Sequence, residues 1–357
     1  MNSLKYISFK AMCPMNNELP KISIVTASYN QGDFLEECID SVLSQNYPNL
    51  EYIVMDGGSS DNSVEIIKKH EKYLTYWQSK PDGGQYAAIQ EGFGKTTGEI
   101  MAWLNSDDKY HHHAFYKVAY LFTANENIEW LTGRHSWWDK DGNIEDIDTG
   151  PLPAYSRAKF VGKEYDKPWI QQESTFWRRS LWVKAGGGLR TNLKYAGDLE
   201  LWTRFFRHTR LYTVDTLLGG YRRHGDQKAA LSMDKYIDEA EKVLEEETIL
   251  FQNCDKDLLP APDPVIVSFQ GVTSYMDSAF SPSQHKIYKL SDNSDLVINY
   301  LINKLTETEG DRRSKLDEIN LLRSKELDCA VKIEALQKSL SWRMTEPVRR
   351  ILDLFKR

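Results

Sequence analysis

The chain has 357 residues, with 45 lysines and arginines against 52 aspartates and glutamates, for a formal net charge of −7. That balance excludes a basic nucleic-acid footprint, and 41% hydrophobic with 12% aromatic residues excludes global disorder. No apolar run approaches the roughly 18 residues of a membrane span. The N-terminus carries no charged start, apolar stretch and small-residue cleavage site, so a non-secreted chain is expected. Cys13, Cys38, Cys254 and Cys329 lie far apart, without a CxxC pair, and read as reduced thiols of a cytosolic protein.

Lys21–Ser28 and Leu50–Asp56 are apolar, β-branched strands. Between them Phe34, Leu35, Cys38, Ile39, Val42 and Leu43 recur at helical spacing. Asp61 is a good N-cap for a helix carrying Val64, Ile66 and Ile67. A strand over Tyr73–Gln78, a helix through Tyr86–Phe93 and a strand over Glu99–Asn105 follow. Strands alternating with helices predict a mainly parallel sheet covered on both faces, with ligands beyond the carboxyl ends of its strands. Further on, Trp130–Trp138 and the stretch after Asn143 predict a hairpin around Asp141-Gly142. Asp198–Arg207 and Ser232–Phe251 read as helices, and Pro260, Pro262 and Pro264 as a stiff linker. Ile319, Leu322, Cys329, Ile333, Leu336 and Leu340 follow 3,4 spacing, broken only by Glu326, which suggests about three heptads of coiled coil or a helix against a partner. After Pro347 a short helix gathers Val348, Ile351, Leu352 and Phe355 on one face. Arg349, Arg350, Lys356 and Arg357 lie largely off that face, a pattern that suits an anionic membrane surface, a partner groove or the protein's own body.

Three acidic positions stand out. Asp107-Asp108 closes a strand, where two carboxylates suit a hard divalent ion and a sugar hydroxyl, or cap the helix through Ala114–Phe122. Asp56-Gly57-Gly58-Ser59-Ser60-Asp61 allows close backbone approach and offers an acid to a pyrimidine N–H, or is a plain strand–turn–helix connection. Pro81-Asp82-Gly83-Gly84 is a similar turn. Asp198 opens a helix, where capping is the commonest duty of an aspartate, and His224 lies beyond a glycine turn. His111-His112-His113 tempts a metal reading that adjacent side chains rarely satisfy. Gly94-Lys95-Thr96 is no phosphate loop, because Ile89 stands where the glycine would be. Seven of the ten tryptophans fall between Trp130 and Trp202, and aromatic faces suit sugar rings.

In order, Thr26-Ala27-Ser28-Tyr29-Asn30, Ser41-Val42-Leu43-Ser44-Gln45, Asp56–Asp61, Leu104-Asn105-Ser106-Asp107-Asp108, Gln171–Phe176, Asp198-Leu199-Glu200-Leu201-Trp202 and Arg222–Gln227 resemble the inverting family 2 glycosyltransferases. Ser339–Pro347 is similar to a tail of bacterial surface-polysaccharide transferases. The resemblance implies an α/β GT-A (nucleotide-diphospho-sugar transferase) fold, with a mainly parallel central sheet flanked by helices and a C-terminal helical extension. It implies that Thr26 and Asp56 hold the nucleotide base, Asp82 the base or ribose, and Asp107 the ribose or donor sugar. Asp108 would bind Mn²⁺ or Mg²⁺, with His224 a further metal or diphosphate contact. Asp198 would be the base, and Gln172, Glu173 and Trp202 would face donor sugar or acceptor. Ala88 and Gln90 replace an aspartate and an asparagine frequent in the family, and Gly197 replaces an acid or apolar residue.

The implied partners are a nucleotide-sugar donor, most simply a UDP-sugar, and a glycan or lipid-linked glycan acceptor; no nucleic acid is among them. The expected place is cytoplasmic, peripheral at the inner face of the plasma membrane through 344–357, with a coiled-coil partner for the preceding helix. The expected organisation is a leader (1–20), the GT-A domain (21–230), a helical extension and linker (231–302), the coiled-coil-like helix (303–343) and the basic helix (344–357). A nucleotidyltransferase would need a basic, glycine-rich loop after the first strand, where Tyr29-Asn30-Gln31-Gly32 offers no basic residue. A catalytically silent transferase-like scaffold would not require Asp56, Asp107, Asp108 and Asp198.

Overall fold

Alternating apolar strands and amphipathic helices pair as the pattern predicts. In the computed structural model the described residues are 19–252, apart from 151, 154, 163–168, 226 and 228–231, together with two short strands, β1 (Tyr6–Ser8) and β13 (Ile266–Ser268), which pair in parallel. Most of the expected leader, the proline linker, the coiled-coil stretch 303–343 and the basic helix 344–357 lie outside the described residues.

β2 (Ile22–Ser28) is the middle of the molecule. It pairs in parallel with β3 (Leu50–Asp56) on one side and β5 (Ile100–Trp103) on the other, and β3 pairs with β4 (Tyr76–Ser79). β10 (Thr175–Arg178) runs antiparallel between β5 and β7 (Trp130–Thr132), and β11 (Tyr212–Thr213) closes a seven-stranded sheet of order β11-β7-β10-β5-β2-β3-β4. The inner strands are apolar almost without alternation because helices cover both faces. These include α1 (Gly32–Leu43), α2 (Ser63–His70) and α3 (Gln85–Phe93). The strand expected at Tyr73–Gln78 starts later, because Glu71–Tyr73 winds into a 3₁₀ turn after α2. Register aligns the strand ends: Ser28 lies opposite Asp56, and Asp56 opposite Ser79.

A second sheet, ordered β6-β12-β8-β9, joins β6 (Lys109–Tyr110), β12 (Gly219–Arg222), β8 (Ser136–Trp138) and β9 (Ile144–Ile147). The expected hairpin is present between β8 and β9, with Gly142 at φ +79° in its turn. Its first strand is shorter than expected, since Trp130–Thr132 belongs to the main sheet. The chain crosses between sheets at Gly133, where a Cβ would lie 2.6 Å from the Thr216 carbonyl oxygen.

The core is aromatic. α7 (Gly197–Phe206) lays Trp202 parallel to Trp103 at 5.9 Å between ring centroids, with Trp130, Trp177 and Phe205 around it. Such pairs add about 0.5–1.5 kcal/mol each beyond their burial. Trp202 is only 1% exposed, so the expectation that it faces a sugar is corrected: its helical register points it inward.

The last long helix among the described residues, α8 (Met233–Gln252), belongs to the same compact unit, Met1–Ala279, as the sheets. It packs on α7 and on α5 (Arg157–Gly162). Its Glu247 is 1% exposed and bonds Arg157 Nε at 2.7 Å and Arg207 Nε at 2.9 Å. Removing the acid strands two partly buried guanidiniums. Glu247→Ala should therefore cost about 3 kcal/mol, measured as a lower midpoint of urea unfolding with an unchanged slope.

Candidate active site

Where the parallel strands end, polar side chains gather. Asp56 is buried, and one of its oxygens accepts from the Gly58 N–H at 3.1 Å, the Ser59 N–H at 2.9 Å and the Ser79 hydroxyl at 2.6 Å. The N-cap of α2 is Asn62 rather than the expected Asp61, which lies one residue earlier. Asp61 accepts from the Ser63 N–H at 3.0 Å and, with its other oxygen, from the Gly32 N–H of α1 at 2.8 Å. Asp82 and Tyr29 close in on Gly57, where a Cβ would meet Asp82 Oδ2 at 3.1 Å and the Tyr29 ring at 3.3 Å. The Asp82 carboxylate is exposed and receives the Gly84 N–H at 2.7 Å, and Tyr29 is 63% exposed beside it. Thr26 lies deeper, fully buried, with its hydroxyl 3.1 Å from the Tyr52 hydroxyl.

The turn after β5 carries the acidic pair. Neither acid caps α4 (Ala114–Ala124), whose N-cap is His113 in the left-handed region. Asp108 is buried and accepts from the Arg222 N–H at 2.8 Å and from Asn105 Nδ2 at 3.0 Å. Asp107 faces His224 Nε2 at 3.1 Å, and the His224 ring lies against Phe34 at 4.3 Å. Arg222 holds the turn: its Nε donates to the Asp107 carbonyl at 2.6 Å and its Nη2 to Glu37 at 2.6 Å. His111 leaves the cluster altogether, with Nε2 2.8 Å from the Ser136 hydroxyl.

Glu173 enters from the 3₁₀ turn Gln172–Ser174, just before β10. β12 presses so closely on it that a Cβ on Gly219 would lie 2.0 Å from the Glu173 carbonyl oxygen. Burial raises the Glu173 carboxyl to about 7; the charges of Asp198 and Asp107 add to that, while its own N–H and Asp108 oppose it. Burial likewise pushes Asp108 well above the usual carboxylate range, helped by Glu173 and Asp107. Neighbouring Gln172 is buried, its Nε2 on the Trp103 carbonyl at 2.6 Å and its Oε1 without a partner.

Asp198 stands in the first turn of α7 but is not its cap, a place taken by Ala196. Its Oδ1 accepts from the Leu199 N–H at 2.8 Å. Burial raises its carboxyl to about 6, with that N–H opposing the shift. The nearby Tyr86 hydroxyl is pushed far above its ordinary range by burial and by the Asp198 charge. The departure at Gly197 has a steric cause, because a Cβ there would lie 2.7 Å from Tyr86 ring atoms. Gln90, the other departure, accepts from the Leu189 N–H at 2.8 Å and ties α3 to the loop before α7.

The model of the family described as Glycosyl transferase family 2 matches residues 23–174. An uncharacterized glycosyltransferase of Mycobacterium tuberculosis is 31% identical over 175 residues, 47% of this chain and 62% of the relative. That stretch of the chain is similar to glycosyl transferase family 2. The putative teichuronic acid biosynthesis glycosyltransferase TuaG of Bacillus subtilis is 33% identical over 101 residues, covering 27% of this chain and 39% of that protein. Staphylococcus aureus TarS 1–349 in complex with UDP superposes with a TM-score of 0.51 over 91% of this chain and 94% of that one, at 13% identity. The same TarS segment with UDP-GlcNAc gives 0.52 over 66% and 67%, at 16% identity. The fold is therefore the GT-A fold. The alignment spans 62% of the mycobacterial relative's length, and the family match ends before Asp198.

The fold brings Asp107, Asp108 and Asp198 within electrostatic reach of Glu173. Their crowding fits a divalent ion: hard cations choose oxygen donors, and Arg222 spends its guanidinium on the Asp107 carbonyl and on Glu37 rather than on these carboxylates. Asp108 would hold such an ion with Glu173 close by. Among the described residues, the three-group set whose ligand atoms lie within 4.8 Å is a different one, Glu36, Asp40 and His70 on α1 and α2, where Lys69 already binds Glu36. Tyr29, Asn105 and Arg222 lie inside the matched motifs and Tyr86 outside them, and none of the four carried an assigned role in the sequence.

The raised Asp198 carboxyl has a stability consequence. Its folded value, about 6, exceeds the unfolded value of about 3.9, so the folded chain holds the extra proton between them and loses stability as pH rises through that window. Asp198→Asn should raise the thermal midpoint at pH 8 by roughly 4 °C, with the gain vanishing near pH 4, as read by calorimetry.

Proposed function

We propose that this chain transfers a glycosyl group from a UDP-sugar to a hydroxyl of a growing cell-surface glycan by a single inverting displacement. The observation that carries the reading is the pair of Asp198, its carboxyl near 6, and the buried acids Asp108 and Glu173, all at one end of the sheet. The UDP and UDP-GlcNAc bound in the TarS structures support a uridine donor, and the printed role of TuaG supports a wall-polymer acceptor.

The roles follow from chemistry. The cluster of Gly57, Asp82 and Tyr29 offers an aromatic face and an acid to a base and ribose. Asp56 keeps the cluster in shape through its own turn. Departure of a nucleoside diphosphate builds negative charge, which a divalent ion at Asp108 would neutralise as a Lewis acid. Asp107 would meet the ribose or donor sugar, while Gln172 and Glu173 line the sugar side. His224, 3.1 Å from Asp107, orients that acid. Asp198 takes the proton of the attacking hydroxyl; a base near 6 is largely ionised at neutral pH yet still basic enough to serve. One base opposite the leaving group gives inversion, by the geometric logic of inverting glycosidases.

With Mn²⁺ and a panel of UDP-sugars, Asp198→Asn should retain UDP binding by calorimetry while transfer falls 10²–10⁴-fold. In the parent, transfer should rise with pH through about 6 as the base loses its proton. Undiminished transfer in the variant, or a profile flat across that range, removes Asp198 from the reaction. From the sequence of the tail, peripheral attachment to anionic membrane is also proposed. Deleting 344–357 should abolish salt-sensitive co-sedimentation with phosphatidylglycerol vesicles.

A further inference from the structure

The N-terminus of α7 is capped from another helix. Ala196 occupies the N-cap position and has no polar side chain, and the amides of Lys194 to Ala196 that lead into the helix take their acceptor from elsewhere. Glu239 of α8 supplies it. Its Oε2 accepts from the Tyr195 N–H at 2.7 Å and from the Ala196 and Lys194 N–H groups at 3.1 Å, and its Oε1 accepts from the Lys194 N–H at 3.0 Å. Three consecutive amides converging on one carboxylate form an anion-binding nest, strengthened by the positive end of the helix behind it. On the opposite side the Tyr86 hydroxyl donates to the Tyr195 carbonyl at 2.8 Å, and its ring fills the space beside Gly197. The Tyr195–Ala196 peptide, which leads into the turn that carries Asp198, is thus gripped at both its N–H and its C=O groups, by residues more than a hundred positions apart.

We propose that Glu239 is a positioning residue for Asp198, through which helix α8 sets the aim of the base. The proposal rests on Asp198 being that base. Glu239 touches no reacting atom; it fixes the backbone from which the carboxylate projects, and a displacement of about 1 Å at such a group can cost on the order of a hundredfold in rate. The donor contacts at Gly57 and Asp82 lie on other elements, so the effect falls on turnover rather than on donor affinity.

The test uses the full chain with Mn²⁺ and an equimolar mixture of UDP-glucose, UDP-galactose and UDP-GlcNAc, following UDP release, together with amide hydrogen exchange. Glu239→Ala should lower kcat at least tenfold, leave the half-saturating sugar-nucleotide concentration within twofold, and speed exchange at Tyr195 and Ala196 at least tenfold. Glu239→Gln, which keeps an oxygen where Oε2 stands, should restore kcat to within threefold. Unchanged kcat or unchanged exchange in Glu239→Ala overturns the proposal, as does a Gln variant as damaged as the Ala variant. If Glu239→Ala does not fold, Tyr86→Phe removes the opposing hydroxyl bond to the Tyr195 carbonyl; it should lower kcat in the same way, and full kcat there also overturns the proposal. Asp198→Asn separates the two readings. If it turns over like the parent, the base assignment itself has failed; if it is inactive while Glu239→Ala is fully active, only the positioning role has.

Discussion

Burying carboxylates is what this molecule does at a cost. An ionised acid withdrawn from water loses several kcal/mol of hydration unless partners replace it, yet Asp108, Glu173 and Asp198 are all held where burial raises their proton affinity. The chain offers them partial compensation. Asp108 receives the Arg222 N–H and Asn105, and Asp198 receives the Leu199 N–H. Glu173 has its own N–H and a side-chain hydrogen bond with Asp108. Much of the surrounding architecture serves to keep this arrangement from relaxing: the glycine at 219 that lets β12 touch the Glu173 backbone, the guanidinium of Arg222 threaded beneath the acidic turn, and the aromatic packing that fixes α7.

The fold was legible because its signals are local. A β-branched apolar run such as Ile22–Ser28, followed by apolar residues at helical spacing, can hardly be placed except as a buried parallel strand with its covering helix. The acidic turns were legible for the same reason, since a strand that stops in Asp107-Asp108 brings both to the sheet's mouth wherever the rest of the chain goes. Asp198 was legible through the ordered resemblance. Its geometry then added what spacing could not, a position near Glu173 and a carboxyl with raised proton affinity.

What stayed hidden depends on partners far away in the chain. Trp202 reads equally as a sugar platform or a core residue, and only its parallel contact with Trp103 decides. Trp130–Thr132 looks continuous with the hairpin after it; the break at Gly133 comes from a carbonyl at Thr216, more than eighty residues on. Arg222 sits in a recognisable motif, but a guanidinium only 1% exposed cannot be inferred from neighbours in sequence. The reason for Gly197 is likewise found in Tyr86, on a different helix.

The turn at Asp56 has its own consequence. Its carboxylate is already bonded to Gly58, Ser59 and Ser79, and Asp61 has already joined the starts of two helices. A loop that is folded before its guest arrives spends little conformational entropy on capture. A ligand that met this turn would find its backbone already fixed, with little left to order on arrival.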